Sequence, residues 1–134
     1  MRLHSILSLT LIALMLGGCH NRRRPVAADP SAPATAGVLA QVRSHARLAD
    51  PSAKVGLVTE ADAKNMLVAV GDINASDFQT GQNVSFVDSR ENPLTSGTII
   101  RILSGSIHVR YDRPTAGRRP PRQGDIMIQF KPAF

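Results

Sequence analysis

The chain has 134 residues, which favours one folded domain with short appendages over a multidomain protein. Its aromatic residues are sparse, with four Phe, one Tyr and no Trp, so any buried core must be aliphatic and small. The net charge is +6, but basic residues concentrate in segments 20–50 and 110–134, while segment 51–109 is mildly acidic. This distribution excludes a uniformly basic surface and indicates anionic contacts near the two ends.

Positions 1–18 have the pattern of an export signal. A positive start at Arg2 precedes an apolar run over residues 6–16, and two glycines follow the run. The run is shorter than the roughly 20 apolar residues that a membrane-spanning helix needs. An apolar region of this length followed by small residues is typical of a cleaved signal peptide. We therefore expect residues 1–18 to be removed from the mature protein.

The sole cysteine of the chain, Cys19, ends the tetrapeptide Leu16-Gly17-Gly18-Cys19 directly after the apolar run. This tetrapeptide resembles the lipobox of bacterial lipoprotein precursors. The resemblance implies cleavage between Gly18 and Cys19, a diacylglyceryl group on the Cys19 thiol, and a fatty acid such as palmitate on the new amino terminus. Several acyl chains, each contributing about 0.8 kcal/mol per buried CH2, anchor a protein firmly to a membrane surface without a spanning helix.

The same resemblance implies a location in the cell envelope. An Asp directly after the lipid-bearing cysteine retains lipoproteins of Gram-negative bacteria at the inner membrane, and this chain has His20 at that position. The resemblance therefore implies the outer membrane, with the domain facing the periplasm. Export would permit disulfides, but one cysteine cannot form one within the chain, so the domain must be stable through packing alone.

Residues 19–37 are rich in proline and alanine and lack apolar periodicity, which predicts a flexible tether of extended character. Its first arginines, at residues 22–24, suit anionic lipid head groups, and a merely solubilising run is the alternative.

Segment 38–50 predicts a short amphipathic helix, because one helix face would hold Val38, Leu39, Val42, Ala46 and Ala49. A poorly ordered continuation of the tether is the competing interpretation.

From residue 55 onward the hydrophobic period changes to two, as in β-strands. Six strand-like runs alternate with turn residues, at 55–61, 65–71, 83–89, 97–103, 107–112 and 125–130. They predict a mainly β fold, a small closed antiparallel β-barrel of five or six strands over residues 53–134. Closure is favoured because so short a chain cannot cover both faces of an open sheet. The residues expected to face the barrel interior are Val55, Leu57, Leu67, Ala69, Val84, Phe86, Ile100, Ile102, Ile107, Val109, Tyr111, Ile126, Ile128 and Phe130.

The order of motifs over residues 55–130 also suggests a family. It runs from G-x-V through F-x-x-G-x-x-V-x-F and G-T-I-I-R-I to G-D-I. This order is similar to the small β-barrel modules of bacterial envelope and cell-shape scaffold proteins, over a little more than half of the chain. The resemblance implies a scaffold or binding part without catalytic residues.

The surface feature with the strongest chemical signal is segment 110–122, where five arginines are accompanied by a single acid, Asp112. Arginine forks suit phosphate and carboxylate groups. We therefore expect an anionic envelope partner, such as an acidic protein, peptidoglycan or lipopolysaccharide. The residues expected to bind it are Arg101, Arg110, Arg113, Arg118, Arg119 and Arg122. A solvated loop that only keeps the domain soluble is the alternative.

Catalysis is the main alternative to a binding role. Strand alternation places His108 on one face with Arg110 and Asp112, but no Gly-x-Ser-x-Gly elbow accompanies them. A polar stripe on the surface is the simpler interpretation, so we expect a module that is not an enzyme. An envelope enzyme or enzyme accessory that uses the His108 region remains the competing hypothesis.

A further alternative is an oligonucleotide-binding barrel, because basic loops together with Phe86 and Tyr111 suit stacked bases. Export and the inward position predicted for both rings argue against it, so we expect no nucleic acid partner.

We also expect no cofactor and no metal ion. Segment 72–83 begins like a calcium loop, but Asp77 stands where such a loop needs glycine. The covalent lipid on Cys19 is the only attached group expected.

Overall fold

The structure of the protein, a computed structural model, describes residues 33–131. The predicted signal peptide, Cys19 and most of the predicted tether lie outside the described residues. Helix α1 is followed by six β-strands, with a single 3-10 turn at Ala75–Asp77 between the second and third strands. The elements are α1 (Ala36–Ala49), β1 (Lys54–Asp62), β2 (Leu67–Gly71), β3 (Asn83–Val87), β4 (Pro93–Leu103), β5 (Ser106–Tyr111) and β6 (Ile126–Gln129).

The six strands form a closed antiparallel barrel in the order β1-β2-β5-β4-β3-β6. The barrel closes at β6, where Ile128 pairs with Val55 of β1 on one side and with Ser85 of β3 on the other. Every strand of the barrel therefore has two hydrogen-bonded neighbours. This confirms the predicted fold class: a mainly β chain with a small closed barrel of six strands, preceded by a short helix.

The barrel interior is an apolar core that contains three aromatic rings, those of Phe78, Phe86 and Tyr111. Strands β3 and β5 follow a simple alternation, in which Phe86 and Val109 point inward and their polar neighbours point outward. Gly97 lets β4 approach β5 closely, because a Cβ at this position would lie 2.7 Å from the carbonyl oxygen of Arg110. The interior core consists of Val58, Val68, Val70, Ala75, Phe78, Val84, Phe86, Leu94, Ile99, Ile107, Val109, Tyr111 and Met127.

Helix α1 packs against the outside of the barrel and forms a second core there. Its buried residues Leu39, Val42 and Ala46 are spaced by three and four positions, so they lie on one helix face. They pack on outward-facing side chains of β1, β3 and β6, with Ala53 at the edge of the cluster. The strand residues of this second core are Val55, Val87, Ile126 and Ile128.

The position of α1 explains why several predictions of interior residues are wrong. Val55, Leu57, Ile126 and Ile128 face outward beneath the helix rather than into the barrel. Between the two isoleucines, Met127 belongs to the interior core, so every residue of β6 is buried. A strand covered on both faces carries a nearly continuous apolar run, and the run Ile126-Met127-Ile128 therefore has no alternation that shows which side faces inward.

Four other residues predicted to face inward also lie elsewhere. Leu67 and Ala69 of β2 pair with outward-facing residues of β5. In β4 the pairing register shifts directly after Ile99, and such a bulge resets the alternation. As a result Ile99 is buried while Ile100 is 40% exposed, and beyond β6 Phe130 is 44% exposed.

Both ends of α1 are fixed by polar contacts. The Thr35 hydroxyl accepts a hydrogen bond from the Val38 N–H at 3.3 Å and caps the first turn. At the other end the Asp50 carboxylate accepts hydrogen bonds from the N–H and O–H of Ser52, at 2.9 and 2.6 Å, and from the Lys131 N–H at 2.7 Å. The bond from the Ser52 hydroxyl is the main cause of the lowered pKa of Asp50. Asp50 thus joins the helix end to the segment after β6.

The predicted tether, residues 19–37, is shorter than expected at its carboxyl end. The Ala34 N–H donates a hydrogen bond to the Gly124 carbonyl at 2.9 Å. Pro33 fills the space beside Gly124, where a Cβ would lie 2.5 Å from the proline Cβ. Helix α1 then begins at Ala36 rather than at residue 38, so the chain is already packed on the barrel before the helix starts.

Candidate functional site

The side of the barrel that α1 leaves uncovered carries a polar surface, here named the polar wall. It is formed by outward-facing residues of β3, β4 and β5, which pair across the strands in rows. One row joins Ser85 to Ser96, and the next joins Asn83, Thr98 and Arg110. A third row pairs Arg101 with His108. The polar wall therefore consists of Asn83, Ser85, Ser96, Thr98, Arg101, His108 and Arg110.

The two arginines of the polar wall are available to a partner. Arg101 and Arg110 are both exposed, and neither forms an ion pair with any residue between 33 and 131. Their backbones are held by the β4–β5 pairing, on which Arg101 lies beside His108 and Arg110 beside Thr98. Both arginines were predicted to bind the partner, and the pairing of β4 with β5 places both on one face.

Three more of the predicted arginines lie on the long loop between β5 and β6 and are also exposed. The Arg118 guanidinium donates a hydrogen bond to the Pro93 carbonyl at 3.0 Å, which holds the loop against the start of β4. Arg113 lines the same cavity as Arg118. Arg122 stands near the other end of the loop, where its N–H donates to the Asp125 carboxylate at 2.7 Å. The loop thus brings two of the three to the end of the polar wall.

Arg119 has a different environment, because it forms an ion pair with Asp125 of the same domain. Its guanidinium donates two hydrogen bonds to the Asp125 carboxylate, at 2.6 and 2.8 Å. Asp125 is only 2% exposed, and the hydrogen bond with it is the main cause of the raised pKa of Arg119. This ion pair fixes the loop to the start of β6. The Arg119 guanidinium therefore stabilises the folded domain.

Three adjoining cavities follow the outer face of β3 and β4 and form a shallow groove, here named the wall groove. The first, of about 320 Å³, lies beside the loop, and the second, of about 350 Å³, shares three lining residues with it. The third, of about 490 Å³, shares two lining residues with the second, one of them Phe130. From the loop end to the Phe130 end, the groove passes Arg118, Arg113, Asp112, Ser96, Ser85 and Asn83.

The floor of the wall groove is polar and is held by strand pairing. The Asp112 N–H donates to the Ser96 carbonyl at 2.8 Å, so the pairing of β4 and β5 continues beyond Tyr111. The Thr95 hydroxyl donates to the Asp112 carbonyl at 2.8 Å. These bonds engage the backbone and leave the Asp112 carboxylate directed toward solvent as an exposed acid. The floor therefore presents hydroxyl, amide and carboxylate groups at fixed positions.

His108, the centre of the catalytic alternative, lines a separate cavity of about 170 Å³ together with Glu60 and Asp62. Asp62 is engaged by Asn65, whose side-chain amide donates to it at 2.6 Å and is the main cause of its lowered pKa. Within the described residues, neither carboxylate forms a hydrogen bond with the His108 ring. General acid–base catalysis needs such contact or a water between the groups, so the geometry gives this alternative little support.

The aromatic rings required by the oligonucleotide alternative are not on the surface. Phe86 is fully buried and Tyr111 is 2% exposed, both in the interior core. Burial is also the main cause of the raised pKa of Tyr111. Neither ring can therefore stack on a base without opening the barrel.

Among residues 33–131, no group of three or more His, Cys, Asp or Glu side chains is arranged to hold a metal ion.

Comparisons of the chain with protein-family models, with curated proteins and with solved structures gave no match. In the part of the chain that the structure describes, no helix has the length and apolar character needed to cross a bilayer.

Proposed function

We propose that this chain is a lipid-anchored binding module of the cell envelope, without catalytic activity, that holds an anionic partner on its polar wall. The observation that carries this proposal is the placement of exposed arginines. Arg101 and Arg110 lie on the wall, and Arg113 and Arg118 lie at its loop end. Guanidinium groups bind carboxylate and phosphate through paired hydrogen bonds, and four on one side of a small barrel form a cationic surface.

The polar wall lies on a part of the barrel surface that α1 does not cover. Helix α1 packs on β1, on β6 and on Val87 at the end of β3, and the wall residues of β3, Asn83 and Ser85, do not belong to this cluster. This arrangement leaves the wall accessible to a partner in the periplasm.

Removal of wall arginines is expected to weaken binding of anionic envelope material by at least tenfold. A charge-assisted hydrogen bond contributes about 1.5–3 kcal/mol, and tenfold in affinity corresponds to about 1.4 kcal/mol. The full-length protein, held in uncharged phosphatidylcholine nanodiscs without detergent, is mixed separately with peptidoglycan, lipopolysaccharide and phosphatidylglycerol vesicles. Binding of the Arg101→Ser/Arg110→Ser variant is compared with wild type at low and high salt, since salt screens exposed charges.

The matched control is Arg47→Ser/Lys64→Ser, which removes the same charge from exposed positions on α1 and on the β1–β2 turn. We expect the control to bind like wild type. Equal losses in both variants would indicate attraction by net charge alone and would contradict a specific wall. Absence of binding to all three materials would also contradict the proposal.

The lipid anchor has its own test. Cells that express the full-length chain are grown with radiolabelled palmitate, and we expect label on wild type but none on a Cys19→Ser variant, because a thioether-linked lipid needs the thiol. Membrane fractions are expected to contain wild type and to lose most of the variant. An unlabelled wild-type protein would contradict the anchor while leaving the wall untouched.

A further inference from the structure

The wall groove allows the partner of the proposed function to be named by chemical class. We propose that it binds a linear acidic glycan, the glycan strand of peptidoglycan, with neutral sugars over the polar floor and a carboxylate at the arginine end. This inference rests on the proposed function, because it assumes an anionic partner in the periplasm. It adds a defined path for that partner along β3 and β4.

The floor fits a chain of hydroxyl and acetamido groups. Ser85 and Ser96 lie side by side in the middle of the groove, and Asn83 continues the floor toward Phe130. Hydroxyl and amide side chains both donate and accept hydrogen bonds, as sugar hydroxyl and acetamido groups do. Because the strands already use their backbone groups in the closed barrel, an extended peptide cannot add to an edge here. Recognition must come from side chains, which suits a glycan.

The two ends of the groove add different chemistry. At one end Phe130 is 44% exposed, and its ring offers an apolar face to the C–H face of a sugar. At the other end Arg113 and Arg118 line the first cavity, where they are placed to pair with a carboxylate on a lactyl or peptide branch. A single ligand that meets both ends must be linear and must combine apolar, hydroxyl and acidic groups.

Asp112 discriminates between kinds of anion. Its exposed carboxylate lies in the groove between the arginines and the serines, since it lines both the first and the second cavity. A ligand with dense negative charge, such as polyphosphate or a phosphate-rich lipid surface, would place charge beside this carboxylate and be repelled. A glycan whose carboxylates are separated by neutral sugars avoids this repulsion, and one of its hydroxyl groups can donate a hydrogen bond to the Asp112 carboxylate.

The test measures binding of fluorescently labelled glycan strands to the full-length protein in polyoxyethylene detergent micelles by anisotropy. The strands come from peptidoglycan freed of its peptides by an amidase, which leaves the lactyl carboxylates, and a chitin oligosaccharide of equal length is the uncharged control. We expect the strands to bind about tenfold more tightly than chitin. Arg113→Gln is expected to remove that preference, and Phe130→Ala to weaken both ligands about fivefold.

Matched control variants are available on the exposed face of α1. Arg47→Gln and Leu48→Ala remove an exposed guanidinium and an exposed apolar side chain from the helix, and we expect unchanged binding. Ser96→Tyr, which fills the middle of the groove from an exposed position, is expected to abolish binding. All variants should keep the wild-type circular dichroism spectrum, because every changed side chain is exposed.

The outcomes separate this inference from the proposed function. If Phe130→Ala and Ser96→Tyr bind the strands like wild type, the groove is not the site and the inference is wrong. If wild type binds vesicles or polyphosphate through the wall arginines but not the strands, the inference is again wrong while the proposed function stands. If wild type binds no anionic material, both are wrong.

Discussion

Replacement of Asp125 by alanine is expected to lower the free energy of unfolding by about 3 kcal/mol. The Asp125 carboxylate is almost completely buried and accepts two hydrogen bonds from Arg119 and one from the Arg122 N–H. Without it the guanidinium of Arg119, whose side chain is only 21% exposed, remains largely buried and without its main counter-charge. Urea unfolding of the full-length protein in micelles, followed by far-UV circular dichroism, measures the loss.

A double-mutant cycle isolates the ion pair. Arg119→Met is expected to be similarly destabilising, because it leaves a buried carboxylate with little compensation. The Asp125→Ala/Arg119→Met double variant should lose less than the sum of the single losses, with a coupling of about 1–3 kcal/mol. Arg118→Met is the control, since this neighbouring residue is exposed and donates a hydrogen bond to the Pro93 carbonyl, and its effect should stay within about 0.5 kcal/mol. Strictly additive losses would show that the pair does not act as a unit.

This ion pair also shows what composition cannot resolve. Segment 110–122 groups five arginines in sequence, and nothing in their spacing distinguishes Arg119 from Arg118. The distinction arises from Asp125, an acid of the Gly-Asp-Ile motif that is buried and pairs with Arg119. Only the fold of the loop onto the start of β6 makes one arginine part of the domain and leaves its neighbour at the surface.

The closed barrel could be predicted because its signals are local. Alternation and turn residues define the strands, and the short length of the chain favours closure. The facing of β3 and β5 was predictable for the same reason, since each has one polar and one apolar face. The orientation of β6 was not predictable. Met127 and the isoleucines on either side of it are all apolar, so the sequence shows that they are buried but not which of them face the barrel interior. The missing information is the long-range packing of α1.

The wall groove could be predicted only in part. The polar residues Asn83 and Ser85 are visible in the alternation of β3, but their alignment with Ser96 depends on the β3–β4 register. The contribution of the loop depends on the contact between Arg118 and Pro93, 25 residues apart in sequence. Phe130 was predicted to face inward as the last residue of the predicted strand 125–130, yet β6 ends at Gln129 and Phe130 is 44% exposed.

Substitution of Val42 by aspartate is expected to release α1 from the barrel and to lower the free energy of unfolding by about 3 kcal/mol or more. Val42 is 2% exposed at the centre of the second core. A carboxylate there loses its hydration among aliphatic side chains, so undocking of the helix costs less than burial of the charge. Undocking uncovers Ile126 and Ile128, and dye binding to exposed apolar surface, measured together with urea unfolding, should therefore increase.

The control for this substitution is Ala40→Asp, two positions earlier on the exposed face of the same helix, where the effect should stay within about 0.5 kcal/mol. The strand signal is expected to persist in Val42→Asp under mild conditions, because the interior core contains no residue of α1. Equal stability of the two variants, or loss of all β structure at once, would contradict two separable cores. If the cores do separate, the interior core alone holds the strands of the polar wall, and α1 adds a second packed layer over β1, β3 and β6.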